Sequence, residues 1–181
     1  MINIRDIKTD PAGQPDQHDL AAITAIYRHH VLNGTASFEI EPPSSSEMAT
    51  RMAQLLAGGY PILVAMHHNT LCGYAYAGPH KPRAAYNQTV EDSVYVSDDQ
   101  RGNGIGRQLL AQLIEAAAAR GYYQMMAVIG DSDNTASIGL HRTLGFRHIG
   151  TAQEIGFKFG RRLDIVYMQR ALQSAPQSGS T

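Results

Sequence analysis

Tryptophan is absent from the 181 residues and cysteine occurs once, at Cys72, so an internal disulfide is excluded. Neither sign of charge dominates, with 15 Lys and Arg against 16 Asp and Glu. A nearly neutral chain has no overall positive field to hold a polyanion, and no basic run interleaved with aromatics marks a nucleic-acid track. Nucleic acid is therefore not an expected partner. Long apolar runs are missing as well. The longest stretches, such as 62–66 and 116–119, fall far below the roughly 20 residues that a membrane-spanning helix needs, so no membrane partner is expected. The opening MINIRDIKTD has neither the basic flank nor the apolar stretch of a secretory leader. With a lone cysteine, that makes a soluble, cytoplasmic protein the expectation. Metal and nucleophile motifs are also lacking. His29-His30 and His67-His68 are adjacent pairs rather than i, i+4 pairs, and no His-Glu-x-x-His, paired-cysteine or Gly-x-Ser-x-Gly pattern occurs. No metal is predicted.

What is present is 43% hydrophobic residues, enough to bury one core. One domain over residues 1–170 is expected, with the Ser/Gln/Gly/Pro-rich residues 171–181 as a disordered tail. Ile2 and Ile4 alternate as in a strand. A helix through Leu20, Ile23, Ile26, Tyr27 and Val31 follows, capped by Asp16 or Asp19 and ended by a left-handed stop at Asn33-Gly34. After an irregular stretch from Thr35 to Pro43, Ser44 and Glu47 make a capping-box pair for a second helix that Gly58-Gly59 ends. The β-type runs 61–66 and 71–77 read as an antiparallel hairpin, and residues 90–96 as another strand. A helix through Leu109, Leu113 and Ile114 ends at Gly121, and 125–129 is a strand. Asp133 or Asn134 caps a further helix that Gly145 closes, before a short strand near Phe146 and a last one at about 163–169.

The chemistry centres on Arg101-Gly102-Asn103-Gly104-Ile105-Gly106, a glycine turn between a strand and a helix. Such a turn exposes unpaired backbone N–H groups at the positive end of a helix dipole, which makes a place for phosphate. A dinucleotide fingerprint would need a third glycine where Arg107 or Leu109 stands, and a P-loop would end in Gly-Lys-Ser/Thr rather than Gly-Arg-Gln. Both of those readings fail.

The pattern Arg/Gln-x-x-Gly-x-Gly/Ala, matched by Arg101, Gly104 and Gly106, resembles the pyrophosphate-binding turn of the GNAT N-acetyltransferases. Thr89–Ser97, Asn134–His141 with Leu144-Gly145-Phe146, Gly156–Gly160 and Tyr74–Pro79 are similar to stretches of one branch. That branch holds the phosphinothricin and the methionine sulfone and sulfoximine acetyltransferases. The resemblance spans roughly residues 2–170. It implies an α/β (α+β) fold with a central mixed, mostly antiparallel twisted sheet flanked by helices, acetyl-CoA as cosubstrate, and a homodimer. It also implies that Val94, Tyr95 and Val96 receive the thioester and pantetheine arm, that Gly102, Asn103, Gly104, Ile105, Gly106 and Arg107 hold the pyrophosphate beside Arg101, and that Asn134 and Thr143 complete the cofactor site.

The same resemblance makes Glu91 the base that deprotonates a small-molecule amine, with Asp92 beside it left open by the sequence. His141 stands where many relatives have a tyrosine, and an imidazole there can protonate the departing thiolate. Lys81 and Arg83 offer two cations to an anionic end of an amino-acid-like acceptor, while Phe38, Ala84, Ala85 and Tyr86 match acceptor-lining positions. His80 departs from the usual tryptophan after Gly-Pro. Other readings are a protein N-terminal or polyamine acetyltransferase, which would call for an acidic groove, and a non-catalytic coenzyme A-binding module.

Overall fold

A run such as Ile-Leu-Val-Ala-Met cannot sit on a surface strand, because both of its faces are apolar; it has to be covered on both sides. The computed structural model describes residues 1–173 and shows this arrangement. In chain order the elements are β1 (Ile2–Asp6), α1 (Gln17–Asn33), α2 (Ser45–Ala57), β2 (Ile62–His67), β3 (Thr70–Pro79), β4 (Thr89–Val96), α3 (Ile105–Ala119), β5 (Gln124–Gly130), α4 (Thr135–Thr143), β6 (Arg147–Lys158) and β7 (Arg161–Ala171). The strands form one seven-stranded sheet in the order β1-β2-β3-β4-β5-β7-β6. Every neighbouring pair is antiparallel except β4 and β5. Along β2, Leu63 and Ala65 point to one face, packing with Leu109, Leu110 and Leu113 of α3. Ile62 and Val64 point to the other, with Ile23, Ile26 and Val31 of α1 and Met48 and Met52 of α2. Each such side chain contributes on the order of 1.5–3 kcal/mol by leaving water.

Local chemistry sets the ends. The β2–β3 turn is His68-Asn69, both left-handed at φ 48 and 63, the two-residue hairpin geometry whose twist matches the strands. Asp16 caps α1 by accepting from the His18 and Asp19 N–H groups, and Ser44 with Glu47 forms the full capping box of α2. Asp19 instead lies buried, bound by Arg5 of β1. Gly59, Gly121 and Gly145 take the positive φ expected of helix stops.

Three expectations are corrected. Gly34 is extended, at φ −139 and ψ 172, so α1 has no left-handed stop; the chain leaves the helix straight into the segment that crosses β5. The strand after Phe146 is long rather than short, with 12 residues. As an edge strand exposed over most of its length it has no apolar alternation to read. Finally, Ala171 pairs with Gln124 and the Leu172 N–H donates to the Tyr123 carbonyl, so order extends past residue 170. Residues 174–181, the rest of the expected tail, lie outside the described residues.

Candidate active site

Helices α1, α2 and α4 each begin under a side-chain cap, from Asp16, Ser44 and Asn134. Helix α3 begins at Gly104 with none. Its first N–H groups therefore lack both an intrahelical and a side-chain acceptor. Gly102 and Gly104 hold the turn at φ 80 and 74, and a Cβ at either would meet no atom within 4 Å, so the backbone is open to an incoming group. Ile105, 1% exposed, anchors the turn in the core, and the Asn103 amide donates to the Gln100 carbonyl at 3.3 Å. Arg101 and Arg107 are exposed beside it. This set of free donors, flanked by two cations, fits a pyrophosphate.

The parallel pairing of β4 with β5 stops early. Thr89 to Asp92 pair with Gln124 to Ala127, and beyond that point the strands part. Strand β4 continues against β3, and β5 against β7, so the opening is a fork within an intact sheet. A cavity of about 60 Å³ occupies the fork, lined by Asp92, Val94, Tyr95, Val128, Gly130 and His141 among others. Through Val94 and Asn134 it adjoins a cleft of about 510 Å³, which also takes in Val96, Arg101, Gly106 and Arg161. The expected cofactor residues Val94, Val96, Arg101, Gly106 and Asn134 are thus brought to one cleft. Thr143 is not among its lining residues; it is exposed, and its hydroxyl donates to the Leu140 carbonyl of its own helix.

His141 comes to the fork from α4. Its ring is 4% exposed, packed edge-on to Phe146, with Nδ1 donating to the Ser137 carbonyl at 2.8 Å and Nε2 at 3.0 Å from Asp92 Oδ2. Burial works against a charged ring, but the Asp92 hydrogen bond and charge, with the Ser137 carbonyl, more than offset it and raise the pKa. The other oxygen of Asp92, Oδ1, is buried without a hydrogen-bond partner.

Glu91 projects from the opposite face of β4, since successive side chains alternate. Its Oε2 is 3.2 Å from His80 Nδ1, a contact created by the β3–β4 register that sets Gly78 against Glu91. Burial raises the Glu91 pKa, and His80 offsets only part of that. The residue that departs from the family's tryptophan is thus the direct partner of the expected base. Its signal in the sequence was the departure itself.

The acceptor side is less uniform. Phe38 packs against two strands where glycine makes room for it: a Cβ at Gly156 would overlap its ring, and a Cβ at Gly130 would collide with the Thr35 carbonyl. Lys158, 4% exposed, donates to the Gly34 and Ser37 carbonyls at 2.9 and 2.7 Å and so fastens this segment to β6. Sequence reading missed Lys158, because nothing marks a lysine near a hairpin turn as buried. It also missed His30, whose Nε2 donates to the Val96 carbonyl at 2.9 Å at the edge of the cleft. Lys81, Arg83, Ala84 and Ala85 lie exposed in the loop before β4, with the Lys81 ammonium 5.3 Å from the Tyr86 ring centre. None of these five lines the cavity at the fork. Among the described residues no cluster of three or more His, Cys, Asp or Glu is placed to hold a metal ion, and no helix is long and apolar enough to cross a membrane.

Comparison with known proteins gives the same picture. The model of a family described as Acetyltransferase (GNAT) domain matches residues 14–167. The chain is 52% identical over 156 residues to the phosphinothricin N-acetyltransferase of Alcaligenes faecalis, an alignment covering 86% of this chain and 79% of that one. It is 48% identical over 165 residues to the L-methionine sulfoximine/L-methionine sulfone acetyltransferase of Pseudomonas paraeruginosa, covering 87% and 94%. The crystal structure of a GNAT superfamily phosphinothricin acetyltransferase from Sinorhizobium meliloti in complex with acetyl-CoA matches with a TM-score of 0.87 at 43% identity, over 98% of this chain and 94% of that one. A forked sheet, an uncapped helix start facing the same cleft, and relatives matched over most of their length lead to one conclusion: the chain belongs to the GNAT acetyltransferase family.

Proposed function

We propose that this acyltransferase moves the acetyl group of acetyl-CoA to the amine of a small amino-acid-like compound, of the phosphinothricin, methionine sulfoximine or methionine sulfone type, by direct attack on the thioester. The observation that carries this reading is the joining of the β4–β5 fork to the open start of α3 in one cleft. A pyrophosphate at the turn of residues 101–107 directs a long chain along Val94, Tyr95 and Val96, and delivers its reactive end to the fork. There, backbone N–H groups released from the ladder face the oxygen that gains negative charge. Asn134, already the cap of α4, and Thr143 complete the cofactor site.

An amine attacks only after losing its extra proton. Glu91 takes that proton, and its raised pKa brings it closer to neutrality, where a base exchanges protons in both directions. His141 supplies a proton to the departing sulfur. Lys81 and Arg83 bind the anionic end of the acceptor, with Phe38, Ala84, Ala85 and Tyr86 as the remaining wall. No metal is needed by any of these steps. The exposed Ile155, Phe157 and Phe159 of the β6–β7 hairpin support a homodimer through that edge, and a cytoplasmic location accords with a single unpaired cysteine.

The test is release of coenzyme A thiol from acetyl-CoA across free amino acids, the three analogues, a polyamine and a short peptide. Turnover confined to the amino-acid-like compounds is expected. Turnover on peptide or polyamine instead would overturn the acceptor class, and binding of acetyl-CoA without turnover on any amine would leave only a coenzyme A-binding module.

A further inference from the structure

A carboxylate with one oxygen hydrogen-bonded and the other buried and bare is costly unless something completes it. The Asp92 side chain is 2% exposed, and leaving such an acceptor unpaired costs about 1–3 kcal/mol or more. The cavity it lines sits at the vertex of the fork, one register position above which β4 and β5 no longer pair. Across that cavity β5 presents Ala127, Val128 and Ile129, whose side chains carry no donor. Ser93, Asn134 and Ser137 also line the cavity, but none of them donates to Asp92 Oδ1, which leaves that oxygen to a molecule that enters the fork.

His141 limits what the pair can do with it. Because Nδ1 faces a carbonyl at 2.8 Å, it carries a hydrogen, and a single mobile proton is left between Nε2 and Asp92 Oδ2. We infer that Asp92 and His141 together form a proton relay, in which Asp92 Oδ1 receives the proton of the attacking amine while His141 Nε2 protonates the departing sulfur. The inference rests on the acetyl-transfer reading above and adds Asp92 to it. The nitrogen lone pair forms the C–N bond, and the carbonyl π pair moves to oxygen. The nitrogen then gives a proton to Oδ1 and keeps the bonding pair. In the same step the oxygen pair returns and the C–S bond breaks with its electrons on sulfur, which takes the Nε2 proton as the neutralised Asp92 loosens its hold on it. Amine and thioester have become amide and thiol. The pair has gone from carboxylate and imidazolium to carboxylic acid and neutral imidazole; as the products leave, Oδ1 gives its proton to solvent and Nε2 takes one up, which resets the pair. Its net charge is zero throughout the transfer, which suits a site where an uncompensated charge is expensive. Glu91, on the other face of the strand, removes the earlier proton, from the ammonium form of the acceptor.

The experiment compares single-turnover acetyl transfer in the wild type, Asp92→Asn, His141→Gln and the double variant, each loaded with acetyl-CoA. Each single substitution is expected to slow transfer about 100-fold with unchanged acetyl-CoA affinity by calorimetry. The double variant should be no slower than the singles, because the two residues act as a unit. An Asp92→Asn enzyme with the wild-type rate overturns the relay. Two measurements on the wild type remain if a variant does not fold. Nitrogen-15 resonances of His141 in the ligand-free protein should show both ring nitrogens protonated, and the rate in mixed light and heavy water should curve as two moving protons require. A neutral ring or a linear dependence overturns the inference. If the wild type acetylates no amine at all, it is the acetyl-transfer reading that falls, and the nitrogen resonances still report the state of the pair.

Discussion

Asp19 and Asp92 are buried to nearly the same degree, 5% and 8% exposed, and each meets a cationic partner from a distant element. Arg5 grips both oxygens of Asp19 at 2.7 Å, and the Lys8 N–H adds a third bond at 2.9 Å, so every part of that carboxylate is used by the fold. His141 reaches only one oxygen of Asp92. The first pair fastens the start of the chain to α1. The second stands where the pairing of β4 with β5 ends and the two strands part. Burial alone therefore does not distinguish the two carboxylates; the number of hydrogen bonds the fold itself supplies does.

The comparison predicts opposite losses. Asp19→Asn strands a part-buried guanidinium and should lower the unfolding free energy by about 3 kcal/mol, measured by urea titration, while the rate of acetyl transfer in the folded protein stays unchanged. Asp92→Asn keeps shape and one acceptor, so its stability loss should be nearer about 1 kcal/mol, with the loss of rate described above. Equal destabilisation with retained rate in both variants would break the distinction.

The helix starts sharpen it further. Ser44 and Glu47 finish the start of α2, whereas that of α3 is left open. Ser44→Ala should cost about 1 kcal/mol of stability and leave the KM for acetyl-CoA alone. Gly104→Ala forces a side chain into the left-handed region at φ 74, which costs about 1–2 kcal/mol, and should raise that KM as well. Gly104→Asn, better tolerated there, should fall between the wild type and alanine. A KM that responds to Ser44 and not to Gly104 would mean that the wrong helix end has been assigned to the phosphates.

Much of this was legible in the residues because it is local. The capping box at Ser44, the stops at Gly59, Gly121 and Gly145, and the glycine turn at 101–106 are each decided within a few positions. What was hidden depends on pairing across the chain. Asp92 and His141 are 49 residues apart, and only the end of the β4–β5 ladder brings them together in a cavity. Asp92 could be named as a candidate from its place beside Glu91, but not told from it, since the choice rests on which face of β4 meets α4. His80 joins Glu91 through the β3–β4 register, and Lys158 is buried because the segment after α1 passes over β5 and needs a donor for its carbonyls. Edge strand β6 was underestimated for the complementary reason: with few buried side chains, its order comes from pairing with β7 rather than from any pattern of its own.

The smallest expected effect separates the two carboxylates by pH. Burial alone would raise the Asp19 pKa, but its bonds from Arg5 and Lys8 hold it below the ordinary 3.8. The unfolded chain then binds the extra proton first as pH falls, so this contribution to stability is complete above 3.8 and is lost as pH drops through the folded pKa. His141 shifts the other way, above 6.5, despite its burial, because of Asp92. Here the folded chain binds the extra proton, so the contribution is complete below 6.5 and fades as pH climbs through the raised folded value. Urea unfolding across a pH series should therefore show an acid-side slope that Asp19→Asn flattens and an alkaline-side slope that Asp92→Asn flattens. If Asp92→Asn leaves the alkaline side unchanged, Asp92 does not hold the proton on His141, and the relay loses the charged donor it requires.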